Sequence, residues 1–333
     1  MTNFKIPVAV IGQGEHSLNK LIPALKLSNK ARIEYLIGRD LNKLKENSLL
    51  LDIPDYSNDW NSVLKNSKKP LSIVIASLPQ LHYEVTKHCL INNFNIFIEK
   101  PPALNYEQML ELAKLQEKSK SIVMIGYNFS FSQYSKLLEI CPNPRAGSLN
   151  FVVAKMTEKS DGFESVLDTV LYKVLIHPLH TIYHTFGEVT DFFVTYTSLE
   201  NNKFSLDLLF NFKNNRTCHL HSGNYSNKFV CDFKLINQDC SVSMNSLNEI
   251  KGYKMGFKDD FKIFKNKQDF CFNNSPTISG YTNSGYQTEI DLWLDAIKNS
   301  NPKTPSTIKD SLYLYKLIED IRKKIIEINS ELQ

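Results

Sequence analysis

Apolar residues in the first part of the 333-residue chain follow two alternating rhythms. Short continuous apolar runs, which are typical of buried strands, alternate with segments whose apolar positions recur every three or four residues, as in helices. The runs lie at 6–11, 33–37, 71–76, 96–98 and 121–125, and the helical segments at 18–25, 41–51, 83–91 and 106–118, with a loop through 55–56. This alternation predicts an α/β domain with a doubly wound parallel sheet over residues 1–126.

From residue 127 onward the apolar pattern changes to strict alternation, seen best in Phe204–Phe212. Every even-numbered position there is Phe or Leu, whereas Ser205, Asp207 and Asn211 lie on the other face, which predicts antiparallel strands with one face covered. Similar segments occur at 149–154, 191–196, 218–221 and 230–236, and helices are predicted at 171–185, 289–297 and 306–328. We therefore expect residues 127–333 to form an α+β domain with a large, mainly antiparallel open sheet, its last helices packing back on the body.

A glycine-rich turn directly follows the first strand. Gly12 permits a tight turn, and Gly14 lets a pyrophosphate approach the backbone at the start of the next helix. Gln13 and His16 complete the turn, and Ser17 stands where the fingerprint prefers a third glycine. The motif predicts a dinucleotide-binding Rossmann domain, and the alternative is an ordinary strand-to-helix turn.

The end of the second strand indicates which dinucleotide is bound. Arg39 suits a 2′-phosphate because guanidinium binds phosphate in a bidentate way, and Gly38 leaves room for that group. Lys43 adds a second cation one turn later. Asp40 is either an acceptor for the ribose hydroxyls, as in NAD-binding domains, or the N-cap of the next helix, which we favour. We therefore predict NADP(H) over NAD(H).

A lysine follows the buried strand 96–98. Glu99, Lys100 and Pro101 come at its end, and ligands of doubly wound folds bind at the carboxyl edge of the sheet. An ammonium group at that edge can stabilise a developing alkoxide and share a proton with it. The alternative is a Glu-Lys pair on the surface before a turn proline.

In combination, these motifs resemble those of the Gfo/Idh/MocA oxidoreductases, which include glucose–fructose oxidoreductase and inositol dehydrogenase. The resemblance rests on Val8–Gly14, Ile22–Leu25, Ile73–Pro79 with His82, Ile98–Pro101, Gly126–Phe129, Ile176–Pro178 with Gly187–Val189, and Gly285–Glu289. It implies an enzyme that transfers a hydride between a nicotinamide and a carbinol or carbonyl carbon of a sugar, nucleotide sugar or cyclitol. The second domain would then bind substrate and mediate oligomerisation.

By this resemblance, Lys100 and His177 handle the proton and the charge of the reacting oxygen. Relatives carry aspartate at position 173, but this chain has Lys173, which would favour a neutral imidazole at His177. His180 replaces another aspartate, and Ser130 replaces an arginine. Such a positive pocket predicts an anionic substrate, unless Lys173 extends into solvent and His180 is packed within its helix.

The resemblance also assigns several residues around the cofactor and the substrate. Those expected near the cofactor are Ser77, Leu78, Pro79, His82 and Glu99, besides Lys100. His82 has the alternative of capping its helix. Tyr127 and Asn128, at the domain junction, are expected to line the substrate pocket together with His180.

Composition excludes several other classes of protein. The net charge of +4 comes from scattered lysines, which argues against nucleic-acid binding. No apolar stretch is long enough to span a bilayer and no signal peptide opens the chain, so we expect a cytoplasmic protein. The six cysteines form no C-x-x-C pair, and His219 and His221 have no third ligand nearby in sequence, so no metal is expected.

Other functions and the assembly stay open at this point. The same residues would serve a reductase of an imine or another C=N or C=C bond. A non-catalytic NADP-binding protein on the same fold is the second alternative, favoured by the missing aspartate and arginine. The resemblance implies a homodimer or homotetramer.

Overall fold

The computed structural model describes residues 5–67, 71–154, 156–247, 249–254, 268–273 and 284–331. The chain divides into two compact units, Met1–Tyr127 with Tyr286–Lys316, and Asn128–Gly285 with Leu317–Gln333. Residues 286–316, which the sequence pattern assigns to the second domain, thus belong to the first unit. Among the described residues, every helix is too short or too polar to cross a lipid bilayer.

Within the described residues up to 126, the structure has six parallel strands and five α-helices. The strands are β1 (Ile6–Ile11), β2 (Ala31–Ile37), β3 (Asp55–Ser57), β4 (Ser72–Ile75), β5 (Asn95–Glu99) and β6 (Val123–Gly126). The helices are α1 (Ile22–Ser28), α2 (Leu41–Leu50), α3 (Trp60–Asn66), α4 (Pro79–Ile91) and α5 (Tyr106–Gln116), and a π-helical segment, Ser17–Leu21, precedes α1.

The strand order β3-β2-β1-β4-β5-β6 confirms the predicted doubly wound sheet. The chain moves outward from β1 in both directions, so a crevice is expected between the carboxyl ends of β1 and β4. One expectation is wrong: residues 55–56 are not a loop but part of β3, which pairs with β2. Three residues at a sheet edge are too few to show a periodic pattern.

The second unit contains an eight-stranded sheet, which confirms the predicted large, mainly antiparallel sheet. Its strands are β7 (Ala146–Ala154), β8 (Val189–Leu199), β9 (Lys203–Phe212), β10 (Arg216–Ser226), β11 (Val230–Ile236), β12 (Cys240–Asn245), β13 (Glu249–Lys254) and β14 (Gln268–Asn273). Their order is β14-β13-β12-β11-β7-β10-β9-β8, and β7 and β10 are the one parallel pair among these strands. The even-numbered apolar residues of β9 are buried, as the alternation predicts.

The second unit also contains helices that pack on its sheet. They are α6 (Tyr134–Ile140), α7 (Val166–Val170) and α8 (Ile176–Phe186), with a π-helical segment, Leu171–Leu175, joining α7 to α8. Phe186, at the end of α8, stacks on Phe212 of β9 with ring centroids 5.0 Å apart. Two long helices complete the chain, α9 (Tyr286–Lys298) and α10 (Ile308–Glu331).

Helix α9 belongs to the first unit because it packs on α1 and on β5. Lys30, just after α1, forms ion pairs with Asp291 and Asp295 at 3.2 and 2.8 Å. The fully buried Trp293 lies against Phe97 of β5, with ring centroids 5.8 Å apart. This contact makes α9 part of the core beneath the end of β5.

We expect Trp293→Ala to lower the free energy of unfolding of the first unit by about 3–5 kcal/mol, because it leaves a large cavity against Phe97. Leu49→Ala is the control, since Leu49 is 86% exposed. Urea unfolding of both variants measures the difference. Equal midpoints would show that α9 is not part of this core.

Candidate functional site

A cleft of about 720 Å³ opens at the carboxyl ends of β1, β2 and β4. Nine of the residues predicted to bind the cofactor line it: Gly12, Gln13, Gly14, His16, Gly38, Arg39, Lys43, Ser77 and Leu78. Its position is where dinucleotides bind in doubly wound folds. The cleft is therefore the candidate cofactor site.

The glycine turn brings two strands together at the floor of the cleft. Gly12 has φ +139°, a conformation that favours glycine, and a Cβ there would lie 1.9 Å from the carbonyl oxygen of Ala76. No atom lies within 4 Å of a Cβ built on Gly14. Gly12 thus serves close packing on the end of β4, whereas Gly14 leaves open space for a phosphate group.

Three buried oxygen atoms around the glycine turn fit a polar ligand. Gln13 Oε1, Ser17 Oγ and Ser77 Oγ are inaccessible to solvent and lack hydrogen-bond partners among the described residues. Buried polar atoms normally have a partner, and exceptions concentrate at functional sites. A dinucleotide, which carries hydroxyl groups, an amide and a diphosphate, fits this turn.

The expected space above Gly38 is filled. A Cβ built on Gly38 would lie 2.4 Å from Gln13 Oε1, so the Gln13 side chain packs directly on this glycine. In this conformation Gln13 occupies the space above Gly38, so room for a phosphate group there stays a prediction. The reason is tertiary: Gln13 reaches across from the end of β1 to the end of β2.

The acidic residue after β2 caps a helix, as predicted. Asp40 Oδ1 accepts hydrogen bonds from the backbone N–H groups of Asn42 and Lys43 at 3.0 and 3.2 Å. Its carboxylate thus stabilises the first turn of α2. Arg39 is exposed beside it and lines the cleft together with Lys43.

Sequence patterns did not identify several other residues of the cleft. They are Ile11, Glu15, Ile37, Asn58, Trp60, Ala76, Gln80, Leu81 and Glu84. Asn58 and Trp60 follow β3, the strand that was missed. Gln80, Leu81 and Glu84 lie in the first turns of α4, and the strand-then-helix pattern at 71–91 was a signal that could have found them.

Glu99 and His16 form a contact beside the cleft. His16 Nε2 lies 3.0 Å from Glu99 Oε1, and the His16 ring packs edge-on against Tyr286 with centroids 5.4 Å apart. Glu99 is buried and does not line the cleft, contrary to its predicted role in cofactor binding. It instead holds His16, which does line the cleft.

A second buried carboxyl group, Glu289, lies near Glu99. Both of its oxygen atoms lack hydrogen-bond partners among the described residues, and its pKa is raised well above the ordinary value by burial and by the negative charge of Glu99. Burial also opposes ionisation of Glu99, but its contact with His16 and the nearby charge of Lys100 hold its pKa below the usual range. Glu289 therefore carries a proton while Glu99 is ionised.

Lys100 directly follows β5, the neighbour of β4 in the sheet. It is half-buried, and its peptide bond to Pro101 is cis. Lys100, Pro79 and His82 do not themselves line the 720 Å³ cleft. Lys100 instead lies at the same carboxyl edge, one strand further along, as the sequence predicts.

In the second unit, His177 is buried among aromatic rings. Its imidazole packs edge-on against Phe129, with centroids 4.7 Å apart, and lies 6.2 Å from the ring of Phe151. Only 6% of the residue is exposed. It is the second residue of α8, just after the π-helical segment.

Lys173 lies in that π-helical segment and forms an ion pair. Its ammonium group contacts the carboxylate of Asp161 and donates to Ser160 Oγ at 3.0 Å. Neither sequence-based alternative, a charge directed at His177 or a side chain extended into solvent, anticipated this carboxylate. The positive charge of Lys173 is therefore compensated locally.

His180 follows its structural alternative, a packed and hydrogen-bonded helix residue. Its Nδ1 lies 2.7 Å from Ser130 Oγ, and burial, with the nearby His184, holds its pKa well below the ordinary value. Ser130, at the position of the family's arginine, also contacts Thr181 Oγ1 at 3.1 Å. His180 is thus neutral and 1% exposed, so it presents no surface to a substrate here.

The two junction residues are also buried. Tyr127 is fully buried in the first unit, and its hydroxyl lies 2.8 Å from Ser311 Oγ. Asn128 Nδ2, in the second unit, donates to the carbonyl oxygen of Ser284 at 2.8 Å. The expectation that Tyr127 lines a substrate pocket is not met, because its side chain serves the core.

His219 and His221 share one carboxylate on the exposed face of the second sheet. His219 Nε2 and His221 Nδ1 each lie 2.9 Å from Asp207 Oδ1. Within the described ranges, no group of three or more His, Cys, Asp or Glu side chains is arranged to hold a metal ion.

Comparison with known proteins identifies the fold of the first unit. Residues 6–127 match the model of the Gfo/Idh/MocA oxidoreductase family, described as an NAD-binding Rossmann fold, which confirms the resemblance. An uncharacterized oxidoreductase of Synechocystis is 31% identical over 126 residues, 38% of this chain and 33% of that protein. A D-xylose dehydrogenase of Paenarthrobacter nicotinovorans is 27% identical over 117 residues, 33% of this chain and 30% of that protein.

The matched stretches thus span about a third of these two relatives. A solved structure covers far more of the chain: a dehydrogenase from Chromobacterium violaceum superimposes with a TM-score of 0.85 at 21% identity, over 98% of this chain and 99% of that one. At this identity the likeness establishes the fold alone.

We expect Glu289→Gln to stabilise the protein increasingly as the pH rises. The folded wild type holds the Glu289 proton at pH values where the unfolded chain has lost it, so its unfolding free energy falls above pH 4.5, by up to about 1.4 kcal/mol per pH unit, until the pH passes the raised pKa. Gln has no proton to hold. Urea unfolding across a pH series measures the difference, with the exposed Glu46→Gln as control. A difference that does not change with pH would contradict the prediction.

Proposed function

We propose that this protein transfers a hydride between a nicotinamide dinucleotide and a carbinol or carbonyl carbon of a sugar, nucleotide sugar or cyclitol. The premise is that residues 6–127 carry the NAD-binding Rossmann fold of a Gfo/Idh/MocA oxidoreductase. The observation that carries the proposal is Lys100. Lys100 follows β5, and the neighbouring strand β4 leads into Ser77, which lines the cleft.

The cleft residues hold the cofactor. Gly12 and Gly14 bring the backbone close to the diphosphate, and Gln13 and Ser77, which line the cleft, offer oxygens to its polar groups. Ser17 is fully buried and does not line the cleft. When bound, the nicotinamide supplies the hydride donor or acceptor. Leu78 and Leu81 give the cleft apolar surface beside Ser77.

Lys100 controls the proton and the charge of the reacting oxygen. In the direction of reduction its ammonium group donates a proton to the carbonyl oxygen as the hydride reaches the carbon. In the direction of oxidation the neutral amine accepts the hydroxyl proton. The ammonium group stabilises the negative charge that develops on the oxygen before it donates its proton in reduction, and after it has accepted the hydroxyl proton in oxidation.

His177 as a second acid or base stays a proposal based on the family resemblance. Its imidazole is packed against Phe129 and lies near Phe151. The neutral ring can accept a proton from an alcohol or donate a hydrogen bond. Lys173, ion-paired with Asp161, contributes through charge compensation and not as a proton donor.

The D-xylose dehydrogenase among the relatives supports a sugar as substrate. The sequence-based argument for an anionic substrate counted the charges of Lys173 and His180. Asp161 compensates the first, and burial keeps the second neutral. Of the three substrate classes proposed above, we therefore favour a neutral sugar or cyclitol, and a preference for phosphorylated or nucleotide-linked sugars would overturn that choice.

NADP(H) is the proposed cofactor. Arg39 and Lys43 line the cleft at the end of β2, and the carboxylate of Asp40 is engaged by two backbone N–H groups of α2. A 2′-phosphate would meet two cations there. The Gln13 side chain, which now packs on Gly38, would have to move aside for it.

Association of two or four copies also stays a prediction. Phe193 and Leu209 are paired across β8 and β9 and are 60% and 43% exposed. Apolar side chains on an open sheet face favour contact with another copy.

We expect Lys100→Met to lower kcat by about 10²–10⁴-fold, because the proton and charge of the reacting oxygen lose their partner. Cofactor binding should be unchanged, since Lys100 does not line the cleft. Absorbance of the nicotinamide with a panel of sugars and keto-sugars gives kcat, and fluorescence titration gives the affinity. The control is Lys45→Met, an exposed lysine of α2.

Unchanged turnover in Lys100→Met would contradict the catalytic role. A wild-type protein that binds NADPH but turns over no carbonyl, imine or alkene substrate would favour a non-catalytic binding protein. Turnover of imines alone would favour the C=N reductase.

We expect Arg39→Ala to weaken NADPH binding by about 10- to 100-fold, the value of a charge-assisted phosphate contact, and to leave NADH binding nearly unchanged. Lys45→Ala, which removes one positive charge from the same helix outside the cleft, should affect neither cofactor. Isothermal titration with both cofactors measures the affinities. Equal losses for NADPH and NADH would show that Arg39 does not contact the 2′-phosphate.

A further inference from the structure

His82 lies in the first turn of α4 and connects the loops that follow two neighbouring strands. Its Nε2 accepts a hydrogen bond from the backbone N–H of Ser77 at 2.8 Å, and its Nδ1 lies 2.9 Å from the carbonyl oxygen of Pro101. Ser77 lies in the loop between β4 and α4 and lines the cofactor cleft. Pro101 follows Lys100 in the loop after β5. One imidazole thus joins the cofactor cleft to the backbone of Lys100.

The two hydrogen bonds define the tautomer of His82. A backbone N–H can only donate, so Nε2 must be unprotonated, and a carbonyl oxygen can only accept, so Nδ1 must carry the hydrogen. Both ring nitrogens are therefore used in the neutral form. Protonation would place a second hydrogen at Nε2, facing the N–H of Ser77, and break that bond.

Burial keeps the ring in this form. Only 2% of His82 is exposed, and burial lowers its pKa to about 4, although the Pro101 carbonyl and Glu99 favour the charged form. A group that stays neutral and has no surface cannot exchange a proton with a substrate. Neither the predicted cofactor contact nor the alternative of a helix cap describes His82.

The two loops that His82 joins make further contacts within the first unit. On one side, Ser77 follows Ala76, whose carbonyl oxygen packs against Gly12 of the glycine turn. On the other side, the backbone of Ala103, two residues after Pro101, is held at both its N–H and its carbonyl by the hydroxyl of Tyr315. The segment that carries Lys100 is thus tied to α4 and to α10 within the first unit.

We propose that His82 is a positioning residue that fixes the distance of Lys100 from the cofactor cleft by linking Ser77 to Pro101. The inference rests on the proposed function, because it concerns where the ammonium group of Lys100 is held relative to the nicotinamide end of the cleft. It assigns His82 no contact with substrate or cofactor. The ring acts through the backbone of the two loops.

Two substitutions separate the two hydrogen bonds. His82→Asn places an amide nitrogen near the position of Nδ1 and keeps a donor for Pro101, whereas His82→Gln places an amide oxygen near Nε2 and keeps an acceptor for Ser77. His82→Ala removes both. Thr86→Val is the control on the same helix, because the Thr86 hydroxyl is buried and lacks a hydrogen-bond partner among the described residues.

In the full-length protein, we expect His82→Ala to lower kcat by about 10²-fold, the effect of a small misplacement of a catalytic group. His82→Asn should retain more of kcat than His82→Gln, because the Pro101 bond holds the Lys100 segment directly. His82→Gln should in turn keep the wild-type affinity for NADPH, because Ser77 keeps its partner. Wild-type kcat in both His82→Ala and His82→Gln would overturn the proposal.

Two measurements on the protein without cofactor do not depend on turnover. Nitrogen-15 NMR of the imidazole should show the Nδ1–H tautomer unchanged between about pH 5 and pH 8. Acetylation of Lys100 by acetic anhydride, followed by mass spectrometry, should be faster in His82→Ala than in the wild type and unchanged in Thr86→Val. A His82 ring that titrates in this range, or equal acetylation rates, would overturn the proposal.

These results separate the inference from the proposed function. Wild-type protein without turnover on any substrate would contradict the proposed function, while the NMR and acetylation results would still test the link. Wild-type turnover together with unchanged acetylation and kcat in the His82 variants would contradict the link alone.

Discussion

The close approach of Gly12 to the carbonyl oxygen of Ala76 is the constraint on which the candidate site depends. Any side chain at position 12 would collide with the end of β4, because its Cβ would lie 1.9 Å from that oxygen. The contact brings the turn after β1 and the loop after β4 together at the switch point of the sheet. Gly12 and Ala76 both line the cleft, and Ser77, which donates to His82, follows Ala76 directly.

Two buried carboxyl groups of the first unit cannot both be ionised. Glu99 and Glu289 are both buried, and two ionised carboxylates cannot share such a site, so one of them keeps its proton. His16, which lines the cleft, contacts the carboxylate of Glu99 at 3.0 Å. The glycine turn contacts α9 through His16 and Tyr286, and Trp293 packs α9 on Phe97 of β5. These contacts explain why residues so distant in sequence form one unit.

Features that depend on neighbours in sequence could be predicted. The turn at Gly12, the N-cap at Asp40 and the alternation in β9 are local patterns, and each has the predicted structure. Features that depend on tertiary contacts could not be predicted. Nothing near Lys173 in sequence identifies Asp161 as its partner, and nothing near Gly38 indicates that Gln13 fills the space above it.

The role of His82 also depends on tertiary contacts and could not be predicted from sequence. It lies five positions from Ser77 and nineteen from Pro101, so only the parallel neighbours β4 and β5 bring its two partners together. From sequence alone, a histidine in this position is interpreted as a ligand or as a helix cap. The hydrogen-bond partners of both ring nitrogens are needed to identify its role as a link.

The distribution of charge around the site follows from burial. Histidines inside the units, His82 and His180, are neutral and act through hydrogen bonds, because ionising them would cost the energy of desolvation. The cations Arg39 and Lys43 stay at the cleft, where solvent reaches them and a phosphate can replace it. Positioning by neutral groups in the interior and ligand binding by charged groups at the surface are thus two consequences of the same desolvation cost. Lys100 is half-buried and lies between these two environments.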